Sequence, residues 1–554
     1  MNKSRKIPTI NFKFSDLFTA EYRLTTALLI LLPLIVYLQV YDFGFVWDDD
    51  DNISKGHLYN PFVLNPSWTS FEQLLSQPYF GMYIPINYFF LGVLKSFAEL
   101  LLIPVNSFLH LSNVAVHIVN GLLVFTLLKQ FVINKWAVLV GVLFFLLHPI
   151  QVETVAWVGE SRSLLAFCFV LTALYFYLKN QTRLSFLSLF LFVLALLSKP
   201  SAVVLVPFVF LINYFHYGFK LSKNIEKTLL FALIALLFIT LAQLVQSQYH
   251  LGIFDYTIDI WQRPFAWLDS IVFYVIKLIY PYHLSASYTL SPQFIAQQWW
   301  FYPLALLPLG LGYLLWLKRK SYPILVFATL LFVAGFFTTS GLMSFGFQKY
   351  SLVADRYLYF AMVGVALLIA VIFSKTDKII KQGLIIMILL IFTALSAFRQ
   401  IPIWQSALKL WTHSVKYELS VQYAHESLAA VINNQGVALY RAGKSQQALV
   451  YFNKAIKIFP EEYHSTKKFL SDPFANRGAS LLIQKEYSKA LSDFNQALKI
   501  DPSHFWANTH KINTLLKLKQ CDQAHTAVSF ARKNQVKLKK TALADLRKNC
   551  ANNT

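Results

Sequence analysis

The chain has 554 residues, of which 56% are hydrophobic and 14% are charged, and its mean hydropathy is +0.50. A soluble domain carries about a quarter charged residues, so this composition excludes a soluble enzyme and predicts an all-helical, polytopic membrane protein. The net charge of +22 does not indicate nucleic acid as a partner, because much of the lysine and arginine lies in short connections between apolar runs, where it sets membrane topology.

Eleven apolar runs are predicted to span the membrane as helices. They cover residues 24–41, 106–131, 135–150, 163–178, 184–198, 200–216, 228–247, 300–317, 322–340, 356–373 and 381–398. Segment 266–281 is also apolar, but it contains Lys277 and is bounded by two prolines, and counting it as a span would invert every later connection. We therefore interpret it as a buried or half-inserted helix in an outer loop.

Lysine and arginine occur in alternate connections and in the N-terminal segment, which predicts a cytoplasmic N-terminus. Loops 42–105 and 248–299 are then external, together with everything after the last span. We expect a multi-pass protein of a bacterial inner membrane, with a periplasmic C-terminal part and with membrane lipids among its partners. Cys521 and Cys550 fall on that side, where a disulfide is permitted, although their spacing leaves two free thiols equally open.

The chain changes to soluble helices after residue 400. Small and large residues recur there with the internal spacing of tetratricopeptide repeats: Gly436, Leu439, Gly443, Ala448, Phe452, Ala455 and Pro460, then Gly478, Leu481, Ala490, Phe494, Ala497 and Pro502. We predict a transmembrane domain over 1–399, a linker helix over 400–428, repeats over 429–538 (429–462, 471–504 and a degenerate copy at 505–538), and a capping helix or tail over 539–554. Such repeats stack into an α-solenoid that holds peptides or proteins, and the alternative is a spacer that only orients the membrane part.

Four consecutive aspartates, Asp48 to Asp51, follow the first predicted span. Ionisable groups beside membrane helices are costly and usually functional, and a carboxylate here suits a general base that takes a proton from a hydroxyl acceptor. A hard divalent cation held by Asp48 and Asp49 would also suit these oxygens, and the metal requirement stays open. The structural alternative is a solvated turn that caps the next helix.

Several charged residues occur in connections on the same predicted side of the membrane. Glu153, Glu160 and Arg162 lie between two spans, and no structural need explains them in so hydrophobic a neighbourhood. The further cations on this side include Lys199, Lys349 and Arg356. Arginine binds phosphate through parallel hydrogen bonds, so these cations suit an anionic phosphate leaving group beside a basic carboxylate. The alternative for each cation alone is a side chain that snorkels to the membrane interface.

These motifs, in their order along the chain, resemble those of one protein family. The matching residues are Trp47-Asp48-Asp49, Tyr83-Ile84-Pro85, His110 to Asn113, His148-Pro149 with Glu153 and Arg162, Lys199-Pro200, and Asp355-Arg356-Tyr357-Leu358-Tyr359, followed by the repeats. The family is the transmembrane and tetratricopeptide-repeat (TMTC-like) protein O-mannosyltransferases and their bacterial relatives, within the GT-C glycosyltransferase superfamily. The resemblance covers nearly the whole chain and implies a membrane helix bundle of the GT-C type.

The resemblance also implies an inverting glycosyltransferase that uses a polyprenyl-phosphate sugar as donor and a protein serine or threonine, held by the repeats, as acceptor. It maps the catalytic acid pair onto Asp48 and Asp49 and an assisting carboxylate onto Glu153. The residues that we expect to hold the donor phosphate are Arg162, Lys199 and Arg356, and the accessory candidates are His148, Asp50, Glu160, Tyr83, Lys349 and Tyr357. Two alternatives stay open: a non-catalytic membrane scaffold whose repeats recruit envelope proteins, and a ligase or polymerase that acts on lipid-linked glycans.

Overall fold

The structure, a computed structural model, describes residues 12–49, 60–79, 81–179, 185–215, 218, 221–249, 258–343, 345–376, 379–417, 422–459 and 470–550. The described residues form helices and connections and contain no β-strand, so the all-helical prediction is confirmed. The chain divides into two compact units, Met1–His413 and Ser414–Thr554, and each is described by itself.

The first unit is dominated by apolar helices. Those long and apolar enough to cross a membrane are Arg23–Asp42, Val105–Leu128, Val158–Lys179, Leu221–Val245, Phe301–Lys318 and Ile379–Gln405. The helices Lys135–Leu147 and Pro149–Ala156 are bent by 49° and together make a further candidate. The shorter apolar helices are Phe186–Ser198, Pro200–Phe215, Pro323–Ala334 and Met362–Ser374. Each predicted span therefore coincides with an apolar helix, and the number that cross the membrane stays a prediction.

Other helices lie outside this candidate set. The remaining α-helices before residue 418 are Pro61–Leu64, Trp68–Ser76, Pro85–Leu100, Arg263–Ile279, Pro292–Ala296 and Ala407–Tyr417. The helix Arg263–Ile279 covers the segment that we interpreted as half-inserted. Its Lys277 ammonium donates to the main-chain carbonyls of Tyr282 and His283, at 3.3 and 3.2 Å, which brings this end of the helix to a polar connection.

Three glycines allow helices of the first unit to approach each other through their backbones. A Cβ atom at Gly141 would lie 2.3 Å from the carbonyl oxygen of Ala366, and one at Gly364 would lie 2.4 Å from the amide nitrogen of Phe332. A Cβ atom at Gly335 would meet the Cα of Ala361 at 2.2 Å. Small residues at such crossings are typical of membrane helices, which associate by close packing rather than by the hydrophobic effect.

The core of the first unit includes side chains that follow the last predicted span, 381–398. Trp404 and Trp411 are 1% and 2% exposed, and they pack on the rings of Trp157 and Trp47 respectively. The Nε2 atom of His413 also hydrogen-bonds the carbonyl of Leu284 at 3.0 Å. The stretch predicted as a linker therefore contributes side chains to the core of the membrane unit.

The second unit consists of helix pairs. Its helices after residue 421 are Gln422–Arg441, Ser445–Lys457, Ser471–Ile483, Tyr487–Ile500, Phe505–Lys517, Cys521–Lys533 and Lys540–Asn549. In the first two pairs a glycine of one helix receives an aromatic ring of the next: a Cβ atom at Gly436 would lie 2.6 Å from Phe452, and one at Gly478 would lie 2.8 Å from Phe494. This contact explains why the repeat pattern requires a small residue opposite a large one.

The third pair lacks this contact. Ile512 and Val528 stand 34 residues after Gly478 and Phe494, at the equivalent positions, and both are buried in one hydrophobic cluster. The His510 ring stacks between Phe494 and Trp506, with centroid distances of 5.8 and 5.7 Å. Cys521 and Cys550 form a disulfide that joins this pair to the last helix, which answers the question that their spacing left open.

Candidate functional site

Charged side chains from separate segments of the first unit meet in one buried group. We call the charged cluster the set Glu153, Glu160, Arg162, Lys199 and Arg356. Glu160 lies at its centre, with Oε1 at 2.9 Å from Nη2 of Arg162 and Oε2 at 2.8 Å from Nζ of Lys199. Buried charges persist only where partners compensate them, and here each glutamate faces at least one cation.

The break after the helix Lys135–Leu147 puts the glutamates in place. Pro149 cannot donate a main-chain hydrogen bond, and Nδ1 of His148 caps the following turn by accepting the N–H of Ile150 at 3.1 Å. Two short helical pieces, Val152–Ala156 and Val158–Glu160, follow and carry the glutamates. The chain then enters the helix Ser161–Lys179, so Glu160 lies at a helix N-terminus, where an anion is favoured.

Arg356 reaches the cluster from a distant turn, Asp355–Leu358. Its guanidinium contacts Oε1 of Glu153, and its main-chain N–H donates to Oε2 of the same carboxylate at 3.1 Å. The neighbouring Asp355 accepts a hydrogen bond from the hydroxyl of Tyr288 at 2.7 Å. Burial and the nearby Glu153 carboxylate raise the pKa of Asp355 well above its ordinary value.

The aspartate segment approaches the same cluster. Trp47 adopts a left-handed backbone conformation, with φ of 59°, which is uncommon for a bulky residue and costs about 1–3 kcal/mol. The tight turn that follows is closed by a hydrogen bond from the N–H of Asp49 to the carbonyl of Val46, at 3.1 Å. The indole of Trp47 stacks on Trp157 with a centroid distance of 4.6 Å, and this contact holds the strained turn against the cluster.

Asp48 and Asp49 have different surroundings. Burial raises the pKa of Asp48, and the nearby guanidinium groups of Arg162 and Arg356 oppose that rise. Asp49 is fully buried and accepts the N–H of Val46 at 3.2 Å, while a Cβ atom at Gly159 would lie 3.1 Å from its Oδ1. Burial and the Asp48 charge raise the pKa of Asp49 well above its ordinary value. Asp48 is thus the carboxylate that faces the cations.

Aromatic rings enclose the guanidinium of Arg356. Its central carbon lies 5.2 Å from the ring centroid of Trp47, 4.3 Å from that of Phe347 and 5.0 Å from that of Tyr357. Such contacts favour a cation and exclude water from it. An interaction between this cation and an anionic ligand would therefore be stronger than it is in solvent.

A small cleft opens beside the cluster. Its polar lining consists of Lys199, Arg356, Ser163, Ser201, Thr339 and Tyr357. The Lys199 ammonium contacts Oγ of Ser163 at 2.5 Å, and Ser163 in turn donates to Glu160. Burial lowers the pKa of Lys199 to about 8, with the Glu160 carboxylate opposing the shift. Two cations and four hydroxyl groups make this cleft suitable for an anion such as a phosphate.

The remaining predicted residues lie in other environments. Nε2 of His148 hydrogen-bonds the carbonyl of Leu278 at 3.1 Å, so both of its ring nitrogens have structural partners. Tyr83 donates its hydroxyl to the carbonyl of Leu75 at 2.7 Å and does not contact the cluster. Asp50 lies outside the described residues, as does the side chain of Lys349.

No described set of three or more histidine, cysteine, aspartate or glutamate side chains converges as metal ligands. Asp48 and Asp49, which the sequence suggested as ligands, face different neighbours: one lies near the cations and the other near Gly159. Metal binding by these carboxylates therefore stays a prediction.

The sequence reasoning missed several residues that shape the site. Ser163, Ser201 and Thr339 supply hydroxyls to the cleft, and Trp157 packs against both Trp47 and the guanidinium of Arg356. Single hydroxyls carry no sequence signature. Trp157 is marked in the sequence only by its position between Glu153 and Glu160.

Comparison with known proteins gives two findings. The tetratricopeptide-repeat family model matches residues 427–503. A curated relative named protein O-mannosyl-transferase F38B6.6, from Caenorhabditis elegans, is 23% identical over 444 residues, which are 74% of this chain and 60% of that protein. The chain thus spans about 60% of the length of the curated relative that it matches. No solved structure matches the chain. The resemblance inferred from the motifs is confirmed by the relative and by the repeat match.

Proposed function

We propose that this chain is a membrane glycosyltransferase of the GT-C type, which moves a sugar from a polyprenyl-phosphate carrier to a hydroxyl group. A serine or threonine of a protein is the acceptor, and the repeats present it on the non-cytosolic side of the membrane. The name of the curated relative, the repeat match and the apolar helices support this class of reaction. We include inversion at the anomeric carbon only because the family that the chain resembles implies it.

One observation carries the proposal: a carboxylate and two guanidinium groups from distant segments share one buried site. Asp48 lies near Arg162 and Arg356, and the charges of these two cations oppose the rise in its pKa that burial causes. A hydroxyl acceptor needs a base, and a departing phosphate needs positive charge. The site provides both within one small region.

The charges of the site suggest how proton uptake from the acceptor is coupled to stabilisation of the departing phosphate. The cluster contains three cations, Arg162, Lys199 and Arg356, and only two glutamates. An ionised Asp48 balances the surplus positive charge. When Asp48 takes up a proton, that balance is lost, and the surplus charge becomes available to the phosphate.

The transfer forms one bond and breaks one bond at the anomeric carbon. The acceptor oxygen forms a bond to the anomeric carbon, and its proton passes to the Asp48 carboxylate. The bond between the anomeric carbon and the phosphate oxygen breaks, and its electron pair stays on the phosphate. Lys199 and Arg356, which line the cleft, stabilise the resulting anion. Glu153 and Glu160 hold these cations in position.

Replacing Asp48 tests this function. Full-length protein in detergent is supplied with polyprenyl-phosphate mannose and a serine- and threonine-rich peptide, and mass spectrometry detects a hexose added to the peptide. We expect Asp48→Asn to reduce transfer by about 100-fold or more, because general-base catalysis contributes that much. Asp42→Asn is the matched control, since Asp42 is an exposed carboxylate only six positions away. Full activity of Asp48→Asn would remove the assignment of the base.

A further inference from the structure

A buried carboxylate outside the charged cluster has no use in the mechanism above. Asp269 lies on the helix Arg263–Ile279 and is 6% exposed. Neither of its two carboxylate oxygens has a hydrogen-bond partner in the protein. Leaving a buried carboxylate unpaired is costly, so such a group requires an explanation.

The other buried acids of this unit whose contacts the structure gives each have at least one hydrogen-bond or ion-pair partner. Glu153 binds Arg356, Glu160 binds Lys199, and Asp355 accepts the hydroxyl of Tyr288. Asp49 accepts a main-chain N–H. Asp269 differs from them because both of its carboxylate oxygens lack a protein partner, so both can accept hydrogen bonds from a ligand.

A loop packs on the part of the helix that contains Asp269. The hydroxyl of Ser270, the next residue in the chain, lies 2.9 Å from the carbonyl oxygen of Ala266 and 3.4 Å from that of Ser340 in this loop. The Oγ1 atom of Thr338 is buried without a hydrogen-bond partner, and the Ser340 hydroxyl faces the hydroxyl of Tyr274 on the same helix. Asp269 and these two hydroxyls thus belong to one helix and to the loop that packs on it.

This stretch borders the cleft beside the charged cluster. Thr339, which lies between those two hydroxyl residues, lines the cleft together with Lys199 and Arg356. The same helix reaches the cluster through Tyr274, whose hydroxyl lies 3.3 Å from both the carbonyl oxygen and the amide nitrogen of Ala354. Asp269 and Tyr274 are five positions apart, which is about 7.5 Å along a helix.

We infer that Asp269, Thr338 and Ser340 form a subsite that binds the hydroxyl groups of the sugar carried by the lipid donor. A carboxylate accepts hydrogen bonds from hydroxyls, and protein hydroxyls donate or accept as the ligand requires. The phosphate would occupy the cleft next to Lys199 and Arg356, and the sugar would extend toward Asp269. This inference rests on the proposed function, since it specifies the part of the donor that the second group of residues recognises.

A metal ion fits the same residues less well. Hard cations are usually held by several carboxylate or carbonyl oxygens, whereas the described surroundings of Asp269 supply hydroxyls and no converging set of acidic or histidine ligands. A sugar offers several donors at once and would satisfy the carboxylate and the hydroxyls together.

The test compares two lipids that differ only in the sugar. Titrations of full-length protein in detergent measure the dissociation constants of polyprenyl-phosphate mannose and of polyprenyl phosphate. We expect Asp269→Asn and Thr338→Val each to weaken binding of the sugar-bearing lipid by about tenfold or more, and to leave binding of the bare lipid phosphate unchanged. Asp259→Asn is the matched control, because Asp259 is an exposed carboxylate just before the same helix.

The outcomes separate the inference from the proposal on which it rests. If the variants weaken the binding of both lipids equally, or change neither dissociation constant, the sugar subsite is overturned. The proposal that the donor is a polyprenyl-phosphate sugar would still stand. Failure of the unaltered protein to bind either lipid would overturn the proposed function and the subsite with it. If Asp269→Asn does not fold, the ratio of the two constants in Thr338→Val decides.

Discussion

Glu153 and Arg356 are 203 positions apart in the chain and meet as a buried ion pair. The glutamate accepts hydrogen bonds from both the guanidinium and the main-chain N–H of the arginine. It therefore fixes the position of the turn Asp355–Leu358 as well as that of the charged side chain. This pair joins the two halves of the membrane unit at the site where we propose that the sugar is transferred.

Breaking this pair should destabilise the membrane unit. Glu153→Gln leaves the buried Arg356 without its carboxylate, which typically costs about 3–5 kcal/mol. We therefore expect a clearly lower midpoint of thermal unfolding in detergent. The double variant Glu153→Gln with Arg356→Met removes both charges and should recover part of the loss. An unchanged midpoint in the single variant would show that the pair does not stabilise the fold.

Donor binding should weaken at alkaline pH. Burial lowers the pKa of Lys199 to about 8, so its ammonium is charged below that pH and loses its charge as the pH rises through it. The KM for the lipid donor should rise above about pH 8 in the unaltered protein. Lys199→Arg stays charged over this range, and its KM profile should be flatter. A KM that does not depend on pH in the unaltered protein would exclude Lys199 from phosphate binding.

A methyl group added beside Asp49 should impair activity. A Cβ atom at Gly159 would lie 2.9 Å from the Trp157 ring and 3.1 Å from Oδ1 of Asp49, so Gly159→Ala must displace the aspartate turn. We expect about a tenfold loss of transfer, in line with the effect of small misplacements in active sites. Gly383→Ala is the control, since nothing lies within 4 Å of a Cβ atom there. Equal activity of the two variants would show that the turn tolerates movement.

The disulfide should be visible in a count of thiols. Denatured protein without reductant should expose one thiol per chain, that of Cys168, and three after reduction. Cys550→Ser removes a cross-link between positions 29 residues apart, and it should lower the stability of the repeat unit by about 3–4 kcal/mol. Cys168→Ser should leave that stability unchanged. Three thiols before reduction would show that the bond does not form.

The long apolar helices were predictable because apolar runs of this length leave the backbone few alternatives in a membrane. The charged residues of the cluster were noticeable because Glu160 and Arg162 lie in a hydrophobic stretch. Placing a charge beside membrane helices costs free energy, so such residues are usually functional. Their pairing was not predictable, since Lys199 could have faced lipid headgroups as readily as Glu160. Contacts across 203 positions depend on packing that no local pattern encodes.

Asp269 shows where the sequence analysis was incomplete. We judged the segment 266–281 by its apolar character and by Lys277, and gave no role to the one acid within it. The structure turns that acid toward the interior and leaves it unsatisfied. Hydropathy averages over a window and therefore hides a single buried carboxylate.

The position of Trp404 and Trp411 bears on how this protein should be divided for experiments. Both indoles pack on the rings of Trp157 and Trp47 beside the charged cluster, although they follow the last predicted span, 381–398. A truncation at residue 399 would strip two buried tryptophans from the membrane fragment and open its site to solvent. Loss of activity in such a fragment would then be mistaken for a requirement for the repeats. A cut placed after Tyr417 keeps both rings and separates the two questions.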